Sequence, residues 1–405
     1  MTRAPSTTAV AGWSPWRVVV GFGVVSLAGD MVYEGARSIY GPLLASLGAS
    51  AFVVGLVTGA GEAAALVLRL VFGPLADRTG RYWSLTLVGY GLTAVCVPLL
   101  ALTPFVGAAG LTLAVVLILA ERAGKAVRSP SKSALLAHAA GAVGRGRGFA
   151  VHKALDQIGA FAGPLCVAAL IAVTGVIWPA MAVLAVPGAV AIGLLTWMRM
   201  RVPDPSVHDL TVPAPQAGVV RAVVGAGLPR AFFLFALSSG ATSAGLVTFG
   251  IIAFHLTRTH LVRLAGIPVV YAAGMAAAAL AALATGYAYD RWHARVLYAL
   301  PLLVSAVPAL AFRHQAWVVV VGVLVWGAAV GVQDSTVKAL VADLVAAPQR
   351  ATAYGVFAGI QGAAALLGGA LAGLLYEHSI PALVGVVVAS QVVAGVVLAA
   401  SLRSE

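Results

Sequence analysis

The chain holds thirteen acidic residues, few enough to weigh singly. Asp204 and Asp209 lie in a proline-rich stretch, Glu377 and Glu405 at a loop and the chain's end, and Asp77 and Asp290 in short polar connections. Asp30, Glu34, Glu62, Glu121, Asp156, Asp334 and Asp343 remain, in or beside long apolar runs. An ionisable group at bilayer depth costs about 2.5–3.5 kcal/mol on insertion scales, so it lines a cavity or finds a partner. Asp30, Glu34 and Arg37 are four and three apart and stack on one helical stripe. Two carboxylates sharing one arginine in a low dielectric suit a site that carries a proton, with Asp30 and Glu34 ranked first. The alternative is an ion-pair latch that closes the outer end through Arg37. Glu62 and Arg69 share a face of the next run, and Glu62 is either a second protonation site or the partner of a base on a neighbouring helix. Glu121, Lys125, Arg128 and Lys132 form another stripe, spaced four, three and four. His152 and Asp156 are four apart and make either a proton relay or a mutually satisfied pair.

The elements that must position these groups are membrane helices. Of 405 residues 61% are hydrophobic and 9% charged, against about 25% charged in soluble domains. A soluble enzyme, a secreted disulfide scaffold and a disordered chain are excluded. Apolar runs cover approximately 16–44, 51–72, 82–102, 107–125, 149–173, 177–198, 230–254, 266–285, 296–312, 317–338, 353–376 and 382–402, which predicts twelve spans in an all-α membrane protein. Ser14-Pro15 reads as an N-cap with proline at the first helical position, and Trp13 and Trp16 suit the headgroup belt. Residues 1–14 read as a cytoplasmic tail, 15–198 as one six-helix bundle, 199–229 with its four prolines as a cytoplasmic linker, and 230–405 as a second bundle. The two cysteines, Cys96 and Cys166, sit in apolar runs and read as packing residues.

The +12 net charge is a matter of topology rather than of nucleic-acid binding. With the N-terminus inside, 20 of the 25 lysines and arginines fall on the inner side and 4 on the outer, with Arg69 inside a span. This bias places both termini in the cytoplasm of a multi-pass protein of the inner (plasma) membrane.

One offset of 213 residues relates five pairs: Gly73 and Gly286, Asp77 and Asp290, Arg78 and Arg291, Glu121 and Asp334, Lys125 and Lys338. The repeat is six spans long and retains helix direction, so the halves are expected to be related by a pseudo-two-fold axis along the membrane normal and to enclose a midplane cavity. GPLADRTGR, from Gly73 to Arg81, matches the loop 2–3 signature of the major facilitator superfamily, and GYAYDRWHAR, from Gly286 to Arg295, resembles its degenerate copy in loop 8–9. With twelve spans split six and six, the chain resembles that superfamily along its whole length. DMVYEGAR, GAGEAA and GVQDSTVKA further resemble a bacterial and archaeal branch of it, with no substrate implied. The resemblance implies alternating access and assigns Asp77, Arg78, Arg81, Asp290 and Arg291 to the cytoplasmic gate. GAFAGPLCVA, Gly159 to Ala168, is similar in part to the family's antiporter motif, although its small residues serve close helix packing equally well.

The recurrence of Glu121 and Lys125 as Asp334 and Lys338 favours gate latches over ligand contacts. Arg128 has no such twin and is free to attract an anionic group. The positions 213 beyond Asp30, Glu34 and Arg37 are Ser243, Val247 and Gly250, so coupling is expected in the N-terminal half alone. Tyr33, Arg69 and Arg128 there, and Tyr271, Trp326, Gln333 and Gln361 in the other half, are the candidate substrate contacts. No GxxxxGK[ST] loop, HExxH motif or Cys/His ligand cluster occurs, so ATP-driven pumping and metalloenzyme chemistry lack residues and no cofactor or metal is called for. The expectation is a monomeric, proton-coupled secondary transporter that exports a small amphipathic or anionic organic compound. The alternatives are a proton-coupled importer of a metabolite and a lipid flippase.

Overall fold

The computed structural model describes residues 13–202, 228–345 and 349–403, and the tail 1–12 and most of the linker lie outside the described residues. Among the described residues there are helices and no strands. In chain order they are α1 (Pro15–Arg37), α2 (Tyr40–Ser46), α3 (Ala51–Val67), α4 (Arg69–Thr79), α5 (Tyr82–Leu99), α6 (Gly110–Val143), α7 (Arg145–Thr174), α8 (Trp178–Val183) and α9 (Ala185–Arg201). Beyond the linker come α10 (Arg230–Gly245), α11 (Phe249–Thr259), α12 (Gly266–Trp292), α13 (Ala299–Ala311), α14 (Ala316–Leu344), α15 (Arg350–His378) and α16 (Ile380–Arg403). The pairs α1/α2, α3/α4, α8/α9 and α10/α11 each make one broken crossing.

Gly266–Ala311 is a nearly continuous helical stretch of 46 residues. A helix of that length would be roughly 70 Å long, about twice the thickness of the hydrocarbon core. It breaks at His293, where φ is 50° and ψ −146°, and so supplies two crossings, α12 and α13. The described residues therefore contain the twelve expected crossings.

The ends of the crossings follow local chemistry. Ser14 Oγ accepts from the Arg17 amide at 3.4 Å with Pro15 at the first helical position, as the sequence predicts. Gly80 (φ 62°) closes α4 in the left-handed conformation inside the GPLADRTGR string. The position 213 residues on is His293, which also has a positive φ but a ψ of −146° where Gly80 has 6°, so the second copy of the signature turns the chain there with a different backbone conformation and without the glycine. Several spans run beyond the expected limits: α4 to Thr79, α12 to Trp292, α14 to Leu344, and α6 to Val143 rather than Lys125. The polar residues after Lys125 do not end α6, because its stripe of bases faces other polar helices instead of solvent.

Close glycine contacts hold the two halves together. A Cβ on Gly55 would sit 2.2 Å from the Gly369 carbonyl oxygen, and one on Gly373 2.3 Å from that of Ala51, so α3 and α15 touch backbone to backbone. Likewise Gly41 of α2 meets the Gly250 carbonyl and the Phe254 amide of α11. These crossings seal the face opposite the 2–3 and 8–9 connections, called here the far face; the face carrying those connections is the near face. Within the first half, Gly159 and Gly163 of α7 press on the Leu27 and Met31 carbonyls of α1, which gives the GAFAGPLCVA string its packing role.

Candidate functional site

Two polar clusters lie between α1, α3, α5, α6 and α7. The first, toward the far face, is built on α1. Tyr33 and Glu34 are buried, and the Glu34 carboxylate accepts a hydrogen bond from the Tyr271 hydroxyl of α12, in the other half. Arg37 lies 3.8 Å from Glu34 but places Nη2 2.7 Å from Glu62 of α3, so its main partner is Glu62. Arg122 of α6 is 3% exposed, 3.1 Å from Glu121 through Nε and 3.6 Å from Glu62 through Nη1, and it donates to the Tyr33 hydroxyl. Its guanidinium lies 4.0 Å from the Tyr33 ring centre and the Lys125 ammonium 3.8 Å, two cation–π contacts on one phenol. Tyr33, a candidate substrate contact by sequence, is the scaffold that gathers these cations.

The second cluster lies toward the near face. Arg128 donates to Thr93 of α5, lies over the Tyr90 ring at 4.5 Å and reaches Asp30 at 4.0 Å. The carboxyl groups of Asp30 and Asp156 of α7 meet within hydrogen-bonding reach. Lys153 pairs with Asp156 at 2.7 Å. Ser26 gathers the Lys132 ammonium at 2.9 Å, His152 Nε2 at 2.8 Å and the Tyr90 hydroxyl at 3.3 Å.

This geometry corrects three expectations and matches one of the two readings of Glu62. Asp30, Glu34 and Arg37 do not form one ladder: Asp30 turns to α6 and α7 while Glu34 and Arg37 serve the first cluster. Helical spacing fixed a shared stripe, but neighbouring helices offered closer partners. Glu62 pairs with bases of α1 and α6, which is the second of its two readings. Glu121 pairs with Arg122 and Thr93 rather than Lys125, and as a 0% exposed residue it lies in the cluster, not at a gate surface. His152 and Asp156 do not bond each other; the first takes Ser26 and the second Lys153.

Arg122 is the residue that sequence reasoning missed as a site residue, since it was counted among the inner-side charges. Roughly 18 Å along α6 from Gly110, it stands at mid-depth. Lys125, Arg128 and Lys132 belong with it inside the bundle. The signal available was the length of the predicted span from 107: only the fourteen residues 107–120 precede Glu121-Arg122, too few to cross the bilayer first.

In the other half, Trp326 donates Nε1 to the Val247 carbonyl at 3.0 Å, and Gln333 and Gln361 reach Ser243 at 2.6 and 3.5 Å. Ser243 occupies the place of Asp30 in the repeat, so the second half has a neutral amide and hydroxyl set where the first has charges. Asp77, Arg78, Arg81, Asp290 and Arg291 are exposed at the near face, with Asp77 accepting from Tyr82 at 3.2 Å. Asp334 is exposed on α14, and the side chain of Lys338 lies outside the described residues. Arg69 of α4 is half-buried, its Nε lacking a hydrogen-bond partner among the described residues.

A cavity of about 20 Å³ opens beside the first cluster. Arg37, Tyr40, Val57, Thr58, Gly61, Glu62, Ile118 and Arg122 line it from one half and Thr248, Phe249 and Gly250 from the other. That is the space of about one water. Thr58 and Thr248 close it with a 2.8 Å hydroxyl contact between the halves.

The family model described as Major Facilitator Superfamily matches residues 23–276 and 231–405. An uncharacterised protein of Mycobacterium tuberculosis strain H37Rv is 54% identical over 387 residues, covering 95% of this chain and 93% of that protein, and one of Mycobacterium bovis matches equally. Among solved structures, peptide transporter POT in complex with sulfate superposes with a TM-score of 0.75 at 14% identity over 96% of this chain and 95% of that one. An inward-facing, unoccupied bacterial homologue of the human lysosomal transporter Spinster gives 0.66 at 15% over 98% and 97%, and nucleoside transporter NupG 0.66 at 15% over 96% and 98%. Likeness at such identities shows the fold alone, but the family match extends over nearly the whole chain and agrees with the doubled loop signature. This chain belongs to the Major Facilitator Superfamily and has its all-helical membrane fold.

Proposed function

We propose that the protein is a proton-coupled secondary transporter of the inner membrane, exporting a small amphipathic or anionic organic compound by alternating access. The near face is then cytoplasmic. What supports the reading is the line of contacts, buried at Glu34 and Arg122 and half-buried at Arg37 and Glu62, that runs from the seam between the halves: Tyr271 to Glu34, Glu34 to Arg37, Arg37 to Glu62 and Glu62 to Arg122. A proton on Glu34 removes its attraction for Arg37 and weakens its grip on the Tyr271 donor, so protonation acts directly on the seam that has to part. Asp30, beside Asp156 and Arg128, is the second place where a proton changes the balance of buried charge. Partner exchange among such groups is the two-state element that alternating access needs. The near-face signatures of both halves serve as its cytoplasmic gate.

The test uses purified protein in lipid vesicles and a solute found by thermal shift, since ligand binding raises apparent stability. Asp30→Asn and Glu34→Gln are expected to abolish flux driven by a pH gradient and to leave counterflow exchange largely intact. Wild-type coupled flux in both variants would overturn the assignment.

Import by symport is favoured by one specific observation. In the first cluster three acids, Glu34, Glu62 and Glu121, face three bases, Arg37, Arg122 and Lys125. An anion added to a balanced cluster is best accompanied by a proton, and the two then travel together. Uptake driven by acid on the solute's side identifies symport, and uptake driven by acid on the opposite side identifies antiport.

A further inference from the structure

We infer that the cavity between α2, α3, α6 and α11 is the docking point for the carboxylate of an organic monoanion with an apolar body, held by the Tyr40 hydroxyl and the Arg122 guanidinium. The inference deepens the transport reading and rests on it for the purpose of the site, though not for whether the site binds. Two cavity-lining side chains carry orphaned polar atoms. The Tyr40 hydroxyl and Arg122 Nη2 are buried without a hydrogen-bond partner, while Tyr40 as a whole is 2% exposed and Arg122 3%. A buried donor left unmade costs about 1–3 kcal/mol, so two at one cavity need an account. Both are donors, and two donors converging on one cavity match the two oxygens of a carboxylate.

The charge around the cavity limits the ligand further. Glu34, Glu62 and Glu121 already answer the local bases, so a doubly charged phosphate or sulfate would meet three carboxylates with too few cations to offset it. Lys125 lies over Tyr33 with no carboxylate within ion-pair distance among the described residues, so it is the base least engaged by the three acids, and a monoanion adds only one charge to the balanced set. Val57, Ile118 and Phe249 supply the apolar side. Phe249 is backed by Tyr271 at 4.6 Å and Trp326 at 5.5 Å between ring centres, an aromatic wall in the half that lacks the charges. The cavity is too small for a substrate until the Thr58–Thr248 contact opens, which ties admission of the ligand to movement of the halves. Gly61 is part of the device: a Cβ there would stand 2.9 Å from Arg122 Cγ and displace the arginine stem.

The experiment titrates the purified full-length protein with benzoate, cyclohexanecarboxylate, benzyl alcohol, acetate and phosphate, reading thermal stability and tryptophan fluorescence. Benzoate and cyclohexanecarboxylate are expected to bind saturably, with benzyl alcohol, acetate and phosphate at least about tenfold weaker. Tyr40→Phe removes only an unpartnered hydroxyl, so its melting temperature without ligand should be unchanged or higher while its affinity for benzoate falls about tenfold. Arg122→Gln should abolish the benzoate response. Equal binding of benzoate and benzyl alcohol, stronger binding of phosphate, or wild-type benzoate affinity in Tyr40→Phe overturns the site. If the carboxylates fail but another solute shows pH-driven flux, the site falls and the transport reading stands. If benzoate binds as expected without pH-driven flux, the site stands and proton coupling falls.

Discussion

Arg122 illustrates how a charge is kept inside this fold. Breaking a buried ion pair by removing one partner leaves the other uncompensated and costs several kcal/mol. Arg122 avoids this by dividing its fork among Glu121, Glu62 and the Tyr33 phenol. Arg37 and Glu62 are less buried, with side chains 24% and 31% exposed, so their pair is the one able to break during function. Arg37→Ala is expected to favour the state open at the far face and to increase labelling of a cysteine introduced at Val57; unchanged labelling would sink that role. Tyr271→Phe deletes the donor to buried Glu34 and is expected to cost about 1–3 kcal/mol, measured as a lower melting temperature. A melting temperature equal to wild type would show the contact to be dispensable.

At the scale of the element, two features decide where the charges go. The continuation of α6 to Val143, through Pro130, brings Arg128 and Lys132 into the bundle as a ladder facing α1 and α5. The glycines of α7 then allow α1 to approach closely enough for Asp30 to meet Asp156. Gly163→Val is expected to destabilise the protein by about 1–3 kcal/mol, because its Cβ would fall 2.3 Å from the Met31 carbonyl oxygen. Gly193→Ala in α9, where nothing lies within 4 Å, is the control and should leave the melting temperature unchanged or raise it. Equal effects of the two would remove the packing account of the GAFAGPLCVA string.

At the scale of the whole molecule the halves share one repeat and divide the chemistry. The first half holds the charged clusters, the second the hydroxyl, amide and aromatic groups, and they meet at Tyr271–Glu34 and Thr58–Thr248. Thr58→Cys with Thr248→Cys places two thiols where the hydroxyls stand 2.8 Å apart. Oxidation is expected to lock the far face and stop flux, and reduction to restore it. Flux that continues at the same rate in the oxidised double variant would mean that this seam does not open.

Apolar periodicity, the 213-residue repeat and the doubled GPLADRTGR string settled the membrane class, the twelve crossings and the family, because each depends on residue order along the chain. The same order singled out the acids at depth, since an ionisable group within a span is conspicuous whatever surrounds it. Partner choice was decided elsewhere. Asp30, Glu34 and Arg37 share a stripe, yet a buried charge takes whichever base, acid or hydrogen-bond partner stands nearest in space, and Arg128, Tyr271 and Glu62 stand on other helices. Arg122 was legible as a charge but not as the centre of the site, because its depth depends on where α6 begins and on the glycine face of α3 that admits its stem. Those distances come from helix packing, which no local pattern encodes.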